Sequence, residues 1–318
     1  MISPKPHPLP KPQRLPERKA VTIVAGFKCY EGIVLCADTQ ETVSNLSKRN
    51  VPKLRFEPSE GVHEGDGLAV AFCGAGDNAA FIDKVVETAW EDAQAATNVD
   101  EACASIEKSV KDSYKEFGRI FQPGYCPTAD LIYGVKMYST CRLFSAHGPV
   151  VTEKNGYDTA GAGYYMADFL ASRMHNHLMS IQQCAVLAAY ILFQAKEHVD
   201  GCGGESQIAV LRDDGVSGVA DRRYIKTISE LLEFSDSQIG DLLLQTANFD
   251  LNTEKFKKMA SSTIDMLEVI RSSNRDELEE SQKRLVSIAS LMSGRPSKPI
   301  KKDWLGLPMP SGSQTSED

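Results

Sequence analysis

Thr22 opens the stretch "TIVAGFKCYEGIVLCADTQ" (22–40), Asp38 lies near its end, and Lys53 follows in "VPKLRF" (51–56). A threonine hydroxyl is a poor nucleophile at neutral pH and needs a base. A free α-amino group on the same residue, of pKa about 8, supplies one. A neighbouring ammonium lowers the electrostatic cost of forming the alkoxide, and a carboxylate holds that ammonium in place and charged. Thr22, Lys53 and Asp38 therefore suit nucleophilic cleavage of an amide, provided that the residues ahead of Thr22 are removed. The backbone N–H groups of the glycine-containing turn Cys73–Gly76, with Cys73 and Gly74 at its start, are of a type that holds an oxyanion.

Positioning these groups falls first to a hairpin. Residues 21–27 and 33–38 are β-branched, apolar runs separated by "KCYEG", and pairing about Tyr30 brings Thr22 alongside Asp38. Strands at 51–56 and 68–73 extend that sheet. Phe81, Ile82, Val85, Val86, Ala89 and Trp90 then recur at helical spacing, with Asp77 or Asn78 as cap, and a second helix starts near Asp100. Strands return at 130–137, 141–146, 149–153 and 156–161, followed by helices at 163–176 and 180–197 and a last core strand, "SQIAVL". Strands, helix pair, strands, helix pair and strand together predict an α+β fold of two face-to-face sheets flanked by helices, a four-layer αββα sandwich. Past Lys226 the apolar positions Leu231, Leu232, Leu242, Leu243, Phe256, Ile264, Leu285, Ile288 and Leu291 predict a helical C-terminal extension.

Composition excludes several partners. The 318 residues carry 35 Lys and Arg against 43 Asp and Glu, a formal charge of -8, so no polycationic surface is available for nucleic acid. The longest apolar run, "CAVLAAYILF" (184–193), is too short to cross a bilayer. Eight scattered cysteines, with no CxxC pair and no secretory signal, read as reduced thiols of a cytoplasmic protein. His175 and His177 in "MHNH" are two apart and do not share a helix face, so neither metal nor cofactor is expected. Prolines at almost every second position from Pro4 to Pro12 make residues 1–19 a solvated arm or propeptide. Residues 293–318 read as a disordered tail, leaving 20–226 as the main domain and 227–292 as the extension.

The segments "TIVAGFKCYEGIVLCADTQ", "VPKLRF" and "LAVAFCGAGDNA" resemble the start of a proteasome β-type subunit of the Ntn hydrolase family, over residues of about 20–220. The resemblance implies a mature chain that begins at Thr22, with Asp38 orienting Lys53 and Lys53 lowering the pKa of the threonine. It also implies an oxyanion glycine at the position of Cys73, polypeptide substrates, a ring-forming oligomer of this or related subunits, and an ATP-dependent unfoldase that feeds it.

The second half departs from that family pattern. Ala162 in "AGAG" stands where a serine would assist the amine. In "VDGCGG", Val199 takes the acidic place, Asp200 sits one residue late as the candidate acid, and Cys202 replaces a second serine. Val21 also takes the place of the glycine whose carbonyl is attacked during release of the threonine. Three readings follow: a threonine-type endopeptidase acting in intracellular protein degradation, a silent ring or scaffold subunit that keeps its arm, and an amidase for small molecules.

Overall fold

Tyr30 and Glu31 form a two-residue turn between β1 (Ile23–Cys29) and β2 (Gly32–Asp38), and this turn sets the register of the whole site. The computed structural model describes residues 22–43, 47–59, 67–120, 127–213, 217–248, 250–265, 267–269, 271–272 and 275; the expected arm (1–19) and tail (293–318) lie outside them. The hairpin pairs run from Val24–Ala37 to Cys29–Gly32, which by continuation sets Ile23, and not Thr22, opposite Asp38. The expected register was one residue out because it centred the turn on Tyr30 alone. Gly32 is required at the turn: its φ is +148°, and a Cβ there would lie 2.0 Å from the carbonyl oxygen of Leu211.

A short second hairpin, β3 (Gln40–Val43) and β4 (Ser47–Asn50), follows, then β5 (Leu54–Pro58) and β6 (Ala69–Gly76). The β3–β4 hairpin was not expected from sequence. Strand β5 starts at Leu54 and not at 51, because the N–H of Val51 turns back to the carbonyl of Thr39 (2.7 Å) and Pro52 has no N–H to give. Helices α1 (Ala79–Ala93) and α2 (Val99–Ile120) lead to β7 (Ala129–Met137), β8 (Thr140–His147), β9 (Val150–Lys154) and β10 (Tyr157–Gly161). Helices α3 (Tyr164–Met174) and α4 (Ile181–His198), strands β11 (Ser206–Arg212) and β12 (Gly218–Val219), and helix α5 (Arg222–Gln245) follow. Asn78 caps α1, and Ser180 with Gln183 forms a capping box on α4. Helix α5 runs without a break through the boundary expected at 226–227, and 253–265 are again helical.

The result is a mixed α/β fold of antiparallel sheets and helices. One five-stranded sheet has the order β10-β1-β2-β11-β12 and the other β5-β6-β7-β8-β9, while β3-β4 stands apart. The period of two along each strand divides the apolar side chains into separate cores. Val24, Ile33, Leu35 and Leu211 of the first sheet pack with Ala71, Ile132 and Leu143 of the second. The alternate residues Ile23, Ala25, Phe27 and Val34 pack instead against Ala167, Leu187, Leu192 and Ile225 of the helices. On the second sheet Phe72, Leu131 and Tyr133 pack against Phe81, Val85, Ile106 and Val110 of α1 and α2.

Two glycines let the sheets approach. A Cβ at Gly26 would lie 2.6 Å from Ile132 Cγ2, and one at Gly134 would lie 2.6 Å from Leu211 Cδ1. Gly134→Val is therefore expected to destabilise the fold by about 1–3 kcal/mol through overpacking. Gly118 is exposed in α2 with open space around it, so Gly118→Ala is expected to stabilise by about 0.5–1 kcal/mol. Urea unfolding of the two variants checks both signs.

Candidate active site

Thr22 immediately precedes β1, and the turn that follows β10 pins its backbone. The N–H of Gly163 donates to the carbonyl oxygen of Thr22 (3.0 Å). A Cβ at Gly161, whose φ is +88°, would lie 2.4 Å from that same oxygen. Asp38 ends β2, beside β11, with Ser206 as its partner across the ladder. Lys53 enters from the segment before β5, where the Gln207 side-chain oxygen of β11 accepts the N–H groups of Lys53 (3.0 Å) and Leu54 (3.3 Å). Gln207 thus ties the third member of the site to the sheet that carries the other two.

The three side chains meet. The Thr22 hydroxyl donates to Asp38 Oδ1 at 2.5 Å and accepts from Lys53 Nζ. Lys53 Nζ also donates to Asp38 Oδ1 at 2.7 Å and to the carbonyl oxygen of Gln40. Asp38 is fully buried, and the Lys53 side chain is 11% exposed. The carboxylate takes two further backbone donors, Ile23 N–H on Oδ1 (3.2 Å) and Gly203 N–H on Oδ2 (2.8 Å). That set of donors compensates the loss of water around a buried charge. Burial lowers the pKa of Lys53 from its ordinary value, and the facing Asp38 charge opposes the shift without cancelling it.

The remaining candidates fall differently. Asp200 is exposed on the turn after α4, and among the described residues no hydrogen bond or ion pair joins it to the trio. Cys202 is buried close to the site, and burial, followed by the Asp38 charge, pushes its thiol up to about 12. It is not a ready nucleophile at neutral pH. Cys73 sits inside β6, paired with Leu54 and Ile132, and its thiol donates to the Ile132 carbonyl (3.3 Å). The N–H of Gly74 donates to the carbonyl of Lys53 (3.1 Å). Gly74 is therefore corrected as a free oxyanion donor, because its proton is committed to the chain segment that carries Lys53. His175 donates its Nε2–H to the Lys28 carbonyl (2.9 Å) and packs against Phe27 and Tyr157, serving the core. The Gln40 carbonyl, Gly203 N–H and Gln207 amide were not foreseen. A backbone donor or acceptor leaves no mark in residue type, although a glutamine beside a core strand's first apolar residue is a polar group in want of a role.

No family model matches this chain, and no curated protein matches it. Solved structures do. Anbu from Hyphomicrobium sp. strain MC1 superposes with a TM-score of 0.55 at 18% identity, over 69% of this chain and 97% of that one. Anbu (ancestral beta-subunit) from Yersinia bercovieri gives 0.57 at 12% identity, over 70% and 97%. The Anbu complex from Pseudomonas aeruginosa, solved as a helical assembly, gives 0.56 at 13% identity, over 70% and 96%. At such identities the likeness is one of fold. These neighbours are proteasome-related but distinct from proteasome β-type subunits, which corrects the β-type assignment made from the motif.

The buried pair makes two expectations. Asp38→Asn leaves the Lys53 ammonium buried without its counter-charge and is expected to cost about 3–5 kcal/mol, while the double variant with Lys53→Met recovers part of that loss. Denaturant unfolding of the full cycle measures it. Because the folded-state pKa of Lys53 is lowered, the unfolded chain binds more protons between that value and 10.5, so this group's contribution to stability rises with pH across that window. Lys53→Met is expected to remove the rise, read as the difference in unfolding free energy between the two proteins from about pH 8 to about pH 11.

Proposed function

We propose that this chain is a proteasome-related threonine-type hydrolase of polypeptide amide bonds, with Thr22 as nucleophile once residues 1–21 are removed. The observation that carries the reading is the single ammonium of Lys53 bonded at once to the Thr22 hydroxyl and to the buried Asp38 carboxylate. In the cleaved chain the α-amine of Thr22 takes the hydroxyl proton as Oγ1 attacks the substrate carbonyl carbon. Lys53 faces the oxygen as negative charge gathers there, and Asp38 fixes Lys53 in that place. The amine then gives the proton to the leaving nitrogen, and water hydrolyses the ester by the reverse use of the same groups.

The three separate apolar cores support a four-layer αββα stacking, with the trio at one end of the inter-sheet core. The Pseudomonas aeruginosa neighbour, solved as a helical assembly, supports self-assembly of this chain. An unfoldase that delivers polypeptides and a cytoplasmic setting belong to the same reading, and the free cysteines among the described residues suit a reducing compartment. A second reading, a silent scaffold subunit, draws support from Ala162 and Cys202, which stand where hydroxyls would assist the amine.

Intact mass and peptide turnover separate the two. The hydrolase reading expects purified protein to lose residues 1–21, Thr22→Ala to keep them, and Thr22→Ala to lose roughly 10⁴-fold or more in turnover. A mass that always retains 1–21, with turnover equal in both proteins, would leave the scaffold.

A further inference from the structure

Asp38 is held from a second direction. Its Oδ1 faces Thr22 and Lys53, whereas among the described residues Oδ2 receives the N–H of Gly203 alone, at 2.8 Å. What fixes Gly203 therefore fixes the plane of the carboxylate. The loop that carries it fits tightly onto the segment following β2. The N–H of Gln40 donates to the Gly203 carbonyl (3.1 Å), and the N–H of Glu205 donates to Thr39 Oγ1 (2.7 Å). A Cβ on Gly203 would lie 2.5 Å from Gln40 Oε1, so the Gln40 side chain would have to move for any other residue there. Gly204 has a φ of +71°, and a Cβ there would lie 2.5 Å from both Thr39 Oγ1 and Asn50 Oδ1.

One side chain closes this loop from outside. Lys196, in the last turn of α4, sends its ammonium to the carbonyl oxygen of Gly204 (2.9 Å) and to Ser206 Oγ (2.7 Å). Those two contacts bracket Glu205 and immediately follow Gly203. Lys196 is half-buried, and it feels the charge of Asp38 and the thiol of Cys202. The titratable and charged groups around Asp38 among the described residues are thus Lys53, Cys36, Cys202 and Lys196, with Glu41 acting on it through Lys53.

We propose that Lys196 is a positioning residue of the active site: by clamping Gly204 and Ser206 it holds the Gly203 N–H on Asp38 Oδ2, and so aims Oδ1 at Lys53 and Thr22. Lys196 touches neither the nucleophile nor a substrate. Its effect runs through the loop to the carboxylate, and from the carboxylate to the ammonium that faces the hydroxyl. The catalytic part of this role rests on Thr22 being the nucleophile; the clamp on Asp38 does not.

The test is made on the full chain with Lys196→Met, Lys196→Arg and Ser206→Ala. The ¹H–¹⁵N signal of Gly203 is followed through a pH titration, and peptide turnover is measured in parallel. Lys196→Met is expected to shift the Gly203 amide proton upfield and to lower its protection from solvent exchange at least about tenfold. In an active parent, kcat should fall about 10- to 100-fold with KM within about twofold. Lys196→Arg should restore most of each change, and Ser206→Ala should give a smaller shift of the same sign.

An unchanged Gly203 amide in Lys196→Met overturns the proposal whatever happens to turnover. An altered amide with kcat and its pH profile intact in an active parent overturns it as well. If Lys196→Met does not fold, Ser206→Ala decides, and an unmoved Gly203 amide there overturns the clamp. A parent without turnover whose Gly203 amide still responds to Lys196→Met refutes the nucleophile reading and leaves the clamp supported.

Discussion

A carboxylate with no exposure to water must be repaid in full by its surroundings, and the burial of Asp38 organises this end of the molecule. Stripping an ion of its water costs several kcal/mol even after relaxation, so every neighbour must supply a proton or a positive charge. Asp38 takes the Thr22 hydroxyl, the Lys53 ammonium and two backbone N–H groups. These donors come from the start of β1, the entry to β5 and the loop after α4, three places distant in sequence. Satisfying one charge therefore forces three chain segments into a common geometry. The Gln207 amide, which holds the N–H groups of Lys53 and Leu54, and the glycines at 161, 163, 203 and 204 are the fittings that allow it.

The sheets supply the rigidity behind that geometry. Strands β1, β2 and β11 are contiguous in one sheet, with Gly26 against Ile132 and Gly134 against Leu211 where the second sheet closes on it. Thr22 precedes the first of these strands, Asp38 ends the second, and Gln207 lies in the third. A shift of any one strand by a residue would turn its whole side-chain row to the other face, so the apolar pattern that buries Val24, Ile33 and Leu211 also locks the site. Helix α4, packed on the same sheet through Leu187, Ile191 and Leu192, brings Lys196 to the loop from behind.

How much of this was legible in the sequence depends on the range of the interactions. The main strands and the two helix pairs followed from local periodicity. The meeting of Thr22 with Asp38 followed from hairpin spacing, even though the register was one residue out. Glu31 joins Tyr30 in the turn, and the site survives because Asp38 Oδ1 reaches both the Thr22 hydroxyl and the Ile23 N–H. Lys53 was legible through the family resemblance, by its spacing after Asp38, although the strand expected at 51–56 would have included it and β5 begins only at Leu54. Asp200 is exposed on the turn after α4, and the group of that region that reaches Asp38 is the backbone N–H of Gly203. Gly203, Gln40 and Lys196 could not be read, since their contacts are made by a loop conformation and have no fixed spacing. The shared motif spacing likewise could not tell a proteasome β-type subunit from the Anbu proteins that the fold resembles at 12–18% identity.

Stability alone gives no reason for this constellation. A buried ion pair exchanged for apolar side chains of similar volume is often neutral or stabilising by about 1–4 kcal/mol, because the desolvation of both charges disappears with them. The core beside Asp38 is already built of Ile, Val, Leu and Ala, and such a replacement would extend it without a break. A structural pair would also be complete with Lys53 and Asp38. The third group, a hydroxyl that accepts from the ammonium and gives its proton to the carboxylate, is one more donor on a charge that the Ile23 and Gly203 N–H groups already serve. The hydroxyl belongs to the residue that would become the chain's first once residues 1–21 are removed, the one position where an amine base comes attached to its nucleophile. The arrangement is costly as architecture and economical as chemistry, and that asymmetry favours the hydrolase over the scaffold.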